Sequence, residues 1–204
     1  MPELPEVETV RRGLEKYIVG HVIDRVEIIN QGPFQGDVRK VEGAEVIDVR
    51  RSGKGLIIDL NNKYSLAIHI KLTGQIVYRD KQTDSEPLSP KVGTLPNKFT
   101  HIIFHLDRGG VLYYNDQRRF GWIKVIKTSE ISSLPFFKNM GPEPFGLGVG
   151  PELTLDLFKK ILSKASTKIK PFIMDQTKIG GIGNIYANDV LFKAKIDPRR
   201  SAKS

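Results

Sequence analysis

The sequence predicts an α+β protein in which an N-terminal helix precedes a two-layered antiparallel β-sandwich, and a helical domain follows. Three observations support this fold class. Apolar residues have helical spacing near the N-terminus, about eight short β-branched segments follow between positions 21 and 128, and helical spacing returns after position 151. So many short strands are typical of a sandwich or a barrel-like pair of sheets, and we predict the sandwich.

The first predicted element is a helix over residues 5–19. Val7, Val10, Leu14 and Ile18 repeat at helical spacing, and Gly20 follows as a stop signal. Prolines and acidic residues are concentrated in the first eight positions. Because proline is favoured in a first helical turn and acidic groups there complement the helix dipole, these residues fit a helix start without any further role.

The middle of the chain is predicted to form the sandwich. Turn sequences GKG, NNK and RGG separate several of the strand segments. The polar stretch 80–98 contains three prolines and is predicted to be a long mobile loop. The predicted strands are, in chain order, HVIDRVEII, AEVIDVRR, GLIIDLN, SLAIHIKL, QIVYR, THIIFHLD, VLYYND and GWIKVIK.

Proline and glycine are concentrated in residues 133–151, which we predict to be a linker between two domains. The sandwich domain then covers residues 1–132 and the helical domain residues 152–204. Within the helical domain, helices are predicted over 152–164, 169–176 and 184–195, and a glycine-rich loop occupies 177–183.

The composition excludes several classes of protein. The chain has no cysteine, so disulfides and thiolate zinc sites are excluded. His101 and His105 would share a strand face, but two histidines alone make a poor metal site, and we predict partly exposed strand residues and no metal. No apolar run approaches the ~20 residues that a membrane span requires. The acidic, proline-rich N-terminus is unlike a signal peptide, so we expect a cytoplasmic protein.

The net charge is +9 and the isoelectric point about 9.6. Excess positive charge is informative about partners rather than about fold. Nucleic acid is the first candidate, because neutralising phosphates releases counterions, and general solubility is the alternative.

Pro2 directly follows the initiator methionine, and a small second residue normally allows Met1 to be removed. The product would be a secondary amine at the positive end of a helix dipole, which leaves more of the amine neutral and able to attack. Addition of that amine to a sugar carbon forms an iminium, an electron sink like that of lysine Schiff bases. Glu3 is adjacent and can move protons.

Three other segments contain candidate functional residues. Lys54 lies between glycines at a predicted hairpin tip, either as a solvated turn lysine or as a cation held in a cleft. In NDQRRFGW, Arg118 and Arg119 can bind phosphates or a base edge and Phe120 can wedge between bases, or the segment is a strand end with a core phenylalanine. In GGIGN, glycines before a helix leave backbone N–H groups free for an anion.

Taken together and in this order, these motifs are specific. PELPEVETVRRGL, RRSGKGL, HIKLTG, YNDQRRFGW, MGPEP and DQTKIGGIGNIYANDVLF strongly resemble the formamidopyrimidine-DNA glycosylases, bacterial repair enzymes for oxidised purines such as 8-oxoguanine. The resemblance covers essentially the whole chain. It implies that the helical domain is a helix–two-turn–helix element. Leu4 favours this branch over the endonuclease VIII branch, which typically has glycine there.

The resemblance also implies catalytic residues. Pro2 matches the nucleophile of the family, Glu3 the adjacent acid and Glu6 a second supporting acid. Lys54 matches the hairpin lysine, which would stabilise phosphate or the leaving group. The implied reaction is excision of the base from an extruded nucleotide, followed by β- and δ-elimination at the sugar. No cofactor is implied in the part of the family that this chain resembles.

DNA-binding residues are implied as well. Arg118 and Phe120 match residues that fill the gap left by the extruded base, and Leu72 occupies the position of a third, usually methionine. Asn184 matches a phosphate-binding asparagine, and Arg119 is expected to contact backbone phosphate. The implied partner is double-stranded damaged DNA, bound by a monomer near the bacterial nucleoid, with no membrane association.

Two departures from the family pattern affect these expectations. Lys71 stands where the family has glycine, and it adds a charge near the strand. Family members also continue past the PRRSA-like segment with further helices and a four-cysteine zinc finger, whereas this chain stops at Ser204. We expect a fragment rather than a minimal natural form, with weak or absent activity in isolation because phosphate contacts are lost.

Two hypotheses on function therefore remain open, besides a remote ribosomal or RNA-binding role. The first is a bifunctional DNA glycosylase and abasic-site lyase. The second is a module that binds lesions or abasic sites with little or no catalysis. Intact Pro2, Glu3 and Lys54 favour the first, because a binding module has no need of a free proline amine.

Overall fold

The computed structural model describes residues 2–85, 87–88, 90, 92–146 and 148–204. Its strands form two sheets, with orders β1-β7-β8-β6 and β2-β9-β5-β4-β3. All neighbouring pairs are antiparallel except the two-residue strand β2, which runs parallel to β9. The strands are β1 (Ile23–Ile28), β2 (Phe34–Gln35), β3 (Val46–Ser52), β4 (Gly55–Leu60), β5 (Tyr64–His69), β6 (Gly74–Arg79), β7 (Thr100–Leu106), β8 (Val111–Asp116) and β9 (Trp122–Lys127).

Helix α1 (Leu4–Ile18) packs against β3 and buries one apolar face. Pro5 lies in its first turn, where a backbone N–H has no partner within the helix, so the N–H that proline lacks costs no helical hydrogen bond. The buried face and the inner faces of both sheets form one hydrophobic core, to which Val7, Leu56, Phe104 and Tyr114 contribute. The predicted N-terminal helix and sandwich are confirmed.

The outer face of the five-stranded sheet is also covered. Strands β4 and β5 read as nearly continuous apolar runs because they are buried on both faces. A 3₁₀ helix (Thr128–Ser133) and the short helix α2 (Pro135–Lys138) cover that face with Ile131, Leu134 and Phe137. The proline-rich segment predicted to be a linker thus begins with a helix that packs on the sheet.

Three helices follow in the C-terminal region. They are α3 (Leu155–Ser163), α4 (Ile169–Met174) and α5 (Asn184–Lys193). They share a separate core that includes Ile169, Phe172, Ile179 and Leu191. Within the described ranges, no helix is both long and apolar enough to span a bilayer.

Some sequence-based expectations need correction. The parallel strand β2 makes the second sheet mixed rather than purely antiparallel. His101 is buried rather than partly exposed, and its burial is tolerated because its Nε2 has a polar partner, the carbonyl oxygen of Asp116 at 2.7 Å. Positions 86, 89 and 91 of the predicted mobile loop lie outside the described residues, and its described part forms turns. The mobility of that loop stays a prediction.

Candidate active site

The N-terminus of α1 holds Pro2, Glu3 and Glu6 close together. The backbone N–H of Glu3 donates to Glu6 Oε2 at 2.9 Å, which satisfies one of the free donors of the first helical turn. Pro2 is half-buried immediately before this cap, whereas Met1 lies outside the described residues. The expectation that Met1 can be removed therefore stays a prediction.

The carboxylate of Glu3 binds the start of α5. Its oxygens accept N–H groups of Gly183 at 2.6 Å, Ile185 at 2.8 Å and Tyr186 at 3.3 Å. The predicted anion site in GGIGN is thus occupied by a side chain of the protein itself. A Cβ at Gly183 would collide with the Glu3 carboxylate, so this close approach requires glycine.

Glu6 is exposed and paired with a residue that the sequence analysis missed. The hydroxyl of Tyr186 donates to Glu6 Oε1 at 2.8 Å. Partial burial acts to raise the pKa of Glu6, but the hydrogen bonds from Glu3 and Tyr186 outweigh it and lower that pKa overall. The bond to Glu6 raises the pKa of Tyr186. The one sequence signal for Tyr186 was its place in the first turn after the anion site.

Lys54 lies in the two-residue turn between β3 and β4, as predicted, but it is buried rather than solvated. Its Nζ donates to the carbonyl oxygen of Ile182 at 2.8 Å. Gln176 donates to the same carbonyl at 2.6 Å. Burial lowers the pKa of Lys54, and the positive charge of Lys71 lowers it further, while Glu3 opposes the shift. Lys54 and Glu3 thus hold the loop before α5 from two sides.

A buried ion network fixes the turn that carries Lys54. Arg51 is fully buried, and its guanidinium binds Glu8 at 2.9 Å, Glu143 at 2.6 Å and the carbonyl oxygen of Gly53 at 3.0 Å. The N–H of Gly53 donates to Glu143 at 2.6 Å. The turn is therefore held by α1 on one side and by the MGPEP segment on the other.

His69 lies beside this turn as a buried neutral imidazole. Burial lowers its pKa to about 3, and the charges of Lys71 and Lys54 contribute. Its Nδ1 is 2.9 Å from the backbone nitrogen of Lys71 and accepts that N–H. The ring of Phe136 meets the imidazole edge-on, with centroids 4.6 Å apart. His69 therefore helps to hold Lys71 in a left-handed conformation (φ 50°).

Asp116 connects the two loops that carry the predicted DNA-wedging side chains. Its carboxylate accepts Thr73 Oγ1 at 2.5 Å in one loop, and the N–H groups of Arg118 at 3.1 Å and Gly121 at 2.8 Å in the other. Because Asp116 is buried, these bonds are shielded from water and keep the two loops in a fixed relation.

The side chains at the tips of these loops are exposed. Leu72 is 37% and Phe120 53% exposed, and the guanidinium of Arg118 stacks 4.8 Å from the Phe120 ring centre. Arg119 has a left-handed backbone (φ 57°) and an exposed side chain. Asn184 is exposed at the first position of α5. Phe120 is therefore not a core residue.

A cleft of about 600 Å³ brings part of the predicted site together. Pro2, Glu6 and Leu72 line it, whereas Glu3 and Lys54 lie behind it at the loop before α5. Arg118, Arg119 and Phe120 do not line the cleft. Asp116 connects the loop that carries them to Thr73, which does. The full lining is Pro2, Glu6, Leu72, Thr73, Gly74, Gln75, Val92, Phe99, Asn115, Gln117 and Ile185.

Comparison with protein families matches nearly the whole chain. The model of the formamidopyrimidine-DNA glycosylase N-terminal domain matches residues 1–123, and that of the formamidopyrimidine-DNA glycosylase H2TH domain matches residues 140–204. The chain belongs to the formamidopyrimidine-DNA glycosylase family. The resemblance noted in the sequence and the helix–two-turn–helix prediction are thereby confirmed, and the chain falls in a family of DNA-repair glycosylases.

Individual relatives agree with this assignment. The formamidopyrimidine-DNA glycosylases of Desulforamulus reducens and Pelotomaculum thermopropionicum are 37% and 38% identical to it, over 99% of this chain and 70% of theirs. Structures of the Lactococcus lactis enzyme bound to N7-benzyl-Fapy-dG DNA and to abasic-site DNA each superpose with a TM-score of 0.83. They are 33% and 32% identical, cover 99% of this chain, and are themselves covered over 71% and 70%.

Proposed function

We propose that the chain is a bifunctional DNA glycosylase and abasic-site lyase that removes oxidised purines, 8-oxoguanine and formamidopyrimidines, from double-stranded damaged DNA. The observation that carries the proposal is the position of Pro2. It lies at the N-terminus of α1 in a cleft of about 600 Å³, next to the acidic group of Glu6 and the exposed Leu72. Once Met1 is removed, Pro2 would carry a free secondary amine in the lining of this cleft.

The proposed reaction begins with attack of the Pro2 nitrogen on C1′ of the extruded nucleotide. The C–N bond to the base breaks, and the base leaves with the proton of the proline nitrogen. Ring opening then breaks the C1′–O4′ bond, with Glu3 as the proposed proton donor to O4′, and forms the iminium between the proline nitrogen and C1′. The resulting iminium acidifies C2′. Loss of that proton expels the 3′-phosphate by β-elimination, and a second elimination expels the 5′-phosphate. Because the iminium itself is the electron sink, we propose that no metal or organic cofactor takes part.

Lys54 and the exposed loop residues are proposed to act on the DNA. Burial lowers the pKa of Lys54, which makes its ammonium a better proton donor than that of a solvated lysine and suits a group that assists a phosphate leaving group. Leu72, Arg118 and Phe120 are proposed to fill the space of the extruded base.

The remaining partners are also proposals. Asn184 and Arg119 are proposed to bind backbone phosphates, and the protein to act as a monomer at the bacterial nucleoid. The net charge of +9 supports binding to a polyanion. The relatives of this chain come from bacteria, which supports the proposed bacterial location.

Borohydride trapping tests the proposal. The protein is incubated at low salt with a duplex that contains one abasic site, and borohydride reduces the iminium to a stable covalent adduct. We expect an adduct with the processed protein and none with a matched control that carries an N-terminal extension blocking Pro2. Binding without an adduct would identify a lesion-binding module instead. An adduct that survives in the blocked control would assign the nucleophile to another amine.

A further inference from the structure

Asn115 is a buried polar residue whose side chain has no hydrogen-bond partner. It is 2% exposed, and neither its amide nitrogen nor its amide oxygen is bonded within the part of the chain that the structure describes. An unpaired buried donor or acceptor loses its hydration without compensation, and an asparagine amide has both kinds of group. Native proteins rarely retain a buried side chain whose polar atoms are all unpaired, so the position of Asn115 calls for an explanation.

The position of Asn115 connects it with the cleft that contains Pro2. Its neighbours in β8, Leu112 and Tyr114, belong to the core between the sheets, so Asn115 lies on the opposite face of its strand. It pairs across the sheet with Gln75 of β6 and lines the same cleft as Pro2.

The chemistry of the cleft indicates what would occupy it. Of the lining residues that the structure describes, none is lysine or arginine, and the one ionisable side chain is the carboxylate of Glu6. Leu72, Val92, Phe99 and Ile185 supply apolar walls. A phosphate would meet no lysine or arginine side chain there and would leave the Asn115 oxygen unpaired, since phosphate oxygens only accept. A flat, neutral heterocycle suits the cleft better.

We propose that Asn115 is a specificity-determining residue whose amide forms paired hydrogen bonds with an –NH–C(=O)– edge of the extruded base. The amide nitrogen donates to the base carbonyl, and the amide oxygen accepts the base N–H. Oxidised purines carry such edges. This inference rests on the proposed glycosylase function, because it requires a base delivered into the cleft beside Pro2.

The test is the isosteric variant Asn115→Leu, with Asn115→Ala as a second variant. Excision of 8-oxoguanine is measured in single-turnover assays and compared with incision of a duplex that already lacks the base. We expect base excision to fall by about tenfold or more, while incision of abasic DNA stays within about twofold. We also expect the melting temperature of Asn115→Leu to stay level or rise, because the variant removes an unpaired polar group. The matched control is Tyr113→Phe, on the same face of the same strand but outside the cleft.

Three results would overturn the proposal. They are unchanged excision in both variants, equal losses of excision and abasic incision, and a similar loss in Tyr113→Phe. If the parent protein cuts neither duplex, the glycosylase function fails by itself. The binding affinities for an 8-oxoguanine duplex and for an abasic duplex are then compared. If the parent protein binds the 8-oxoguanine duplex more tightly, Asn115→Leu must abolish that difference. If the parent protein binds both duplexes equally, the proposed role of Asn115 is refuted.

Discussion

His69 is predicted to make the protein lose stability when the pH falls from 7 to 5. The imidazole is 5% exposed, and burial lowers its pKa to about 3. Its Nδ1 accepts the N–H of Lys71, which requires a nitrogen without a proton. The native protein therefore keeps His69 neutral over a pH range in which the unfolded chain protonates it.

The size of the effect follows from the two pKa values. In the unfolded chain His69 titrates near its ordinary pKa of about 6.5, and in the native state at about 3. Between these values the unfolded state binds one proton more than the native state, so the free energy of unfolding decreases as the pH falls. Each pH unit below about 6.5 costs ~1.4 kcal/mol, which gives about 2 kcal/mol at pH 5.

Urea unfolding at pH 7, 6 and 5 measures this loss, with His69→Asn as the matched control. The asparagine oxygen can accept the N–H of Lys71 but does not titrate. The free energy of unfolding of the wild type should fall by about 2 kcal/mol more than that of the variant between pH 7 and 5. Because hydrogen bonds lower the pKa values of Glu6 and Glu8, these carboxylates lose their contribution to the free energy of unfolding mainly below pH 5. An identical pH dependence in both proteins would refute a neutral, buried His69.

Three further predictions concern charge and exposed side chains. Glu143→Ala removes one partner of the buried Arg51 and should lower the free energy of unfolding, measured in urea, by about 3 kcal/mol or more. The control is Glu15→Ala, which removes a side chain that is 50% exposed and should lower it by less than about 1 kcal/mol; equal losses would contradict the buried network. Lys71→Ala should reduce the slope of log affinity against log salt for duplex DNA by about 1, and an unchanged slope would exclude a phosphate contact. Phe120→Ala should leave the melting temperature of the protein unchanged, since the ring is 53% exposed. It should reduce the bend of a bound lesion duplex, measured by energy transfer between dyes at the duplex ends, and an unaltered bend would show that Phe120 does not wedge between the bases.

The fold could be predicted wherever a local pattern was long enough to be specific. The apolar face and proline-containing start of α1 mark that helix, and the turn around Lys54 marks a hairpin. Strand β2 was missed because two residues paired in parallel leave no periodic pattern. Helix α2 was missed because it has four residues and lies in a segment whose prolines and glycines resemble a linker.

The site was predictable only in part, because its contacts span long distances in sequence. Pro2 and Lys54 could be named from their own segments. Tyr186 pairs with Glu6 across 180 positions and Glu143 with Gly53 across 90, and no local pattern indicates such a pair. Partial exposure is predicted for His101 because it shares a strand face with His105, and that pattern does not indicate that its imidazole lies 2.7 Å from the carbonyl oxygen of Asp116.

The place of Glu3 affects how its substitution must be interpreted. Its carboxylate accepts three N–H groups at the start of α5, so it joins the helix that carries Pro2 to the helix that begins with Asn184. In Glu3→Gln one oxygen becomes an NH₂ group, which can only donate and would face donors. A loss of base excision in that variant therefore has two sources, the missing proton donor and a displaced α5. Loss of excision at an unchanged melting temperature and unchanged DNA affinity identifies the first, whereas a lower melting temperature with weaker DNA binding identifies the second.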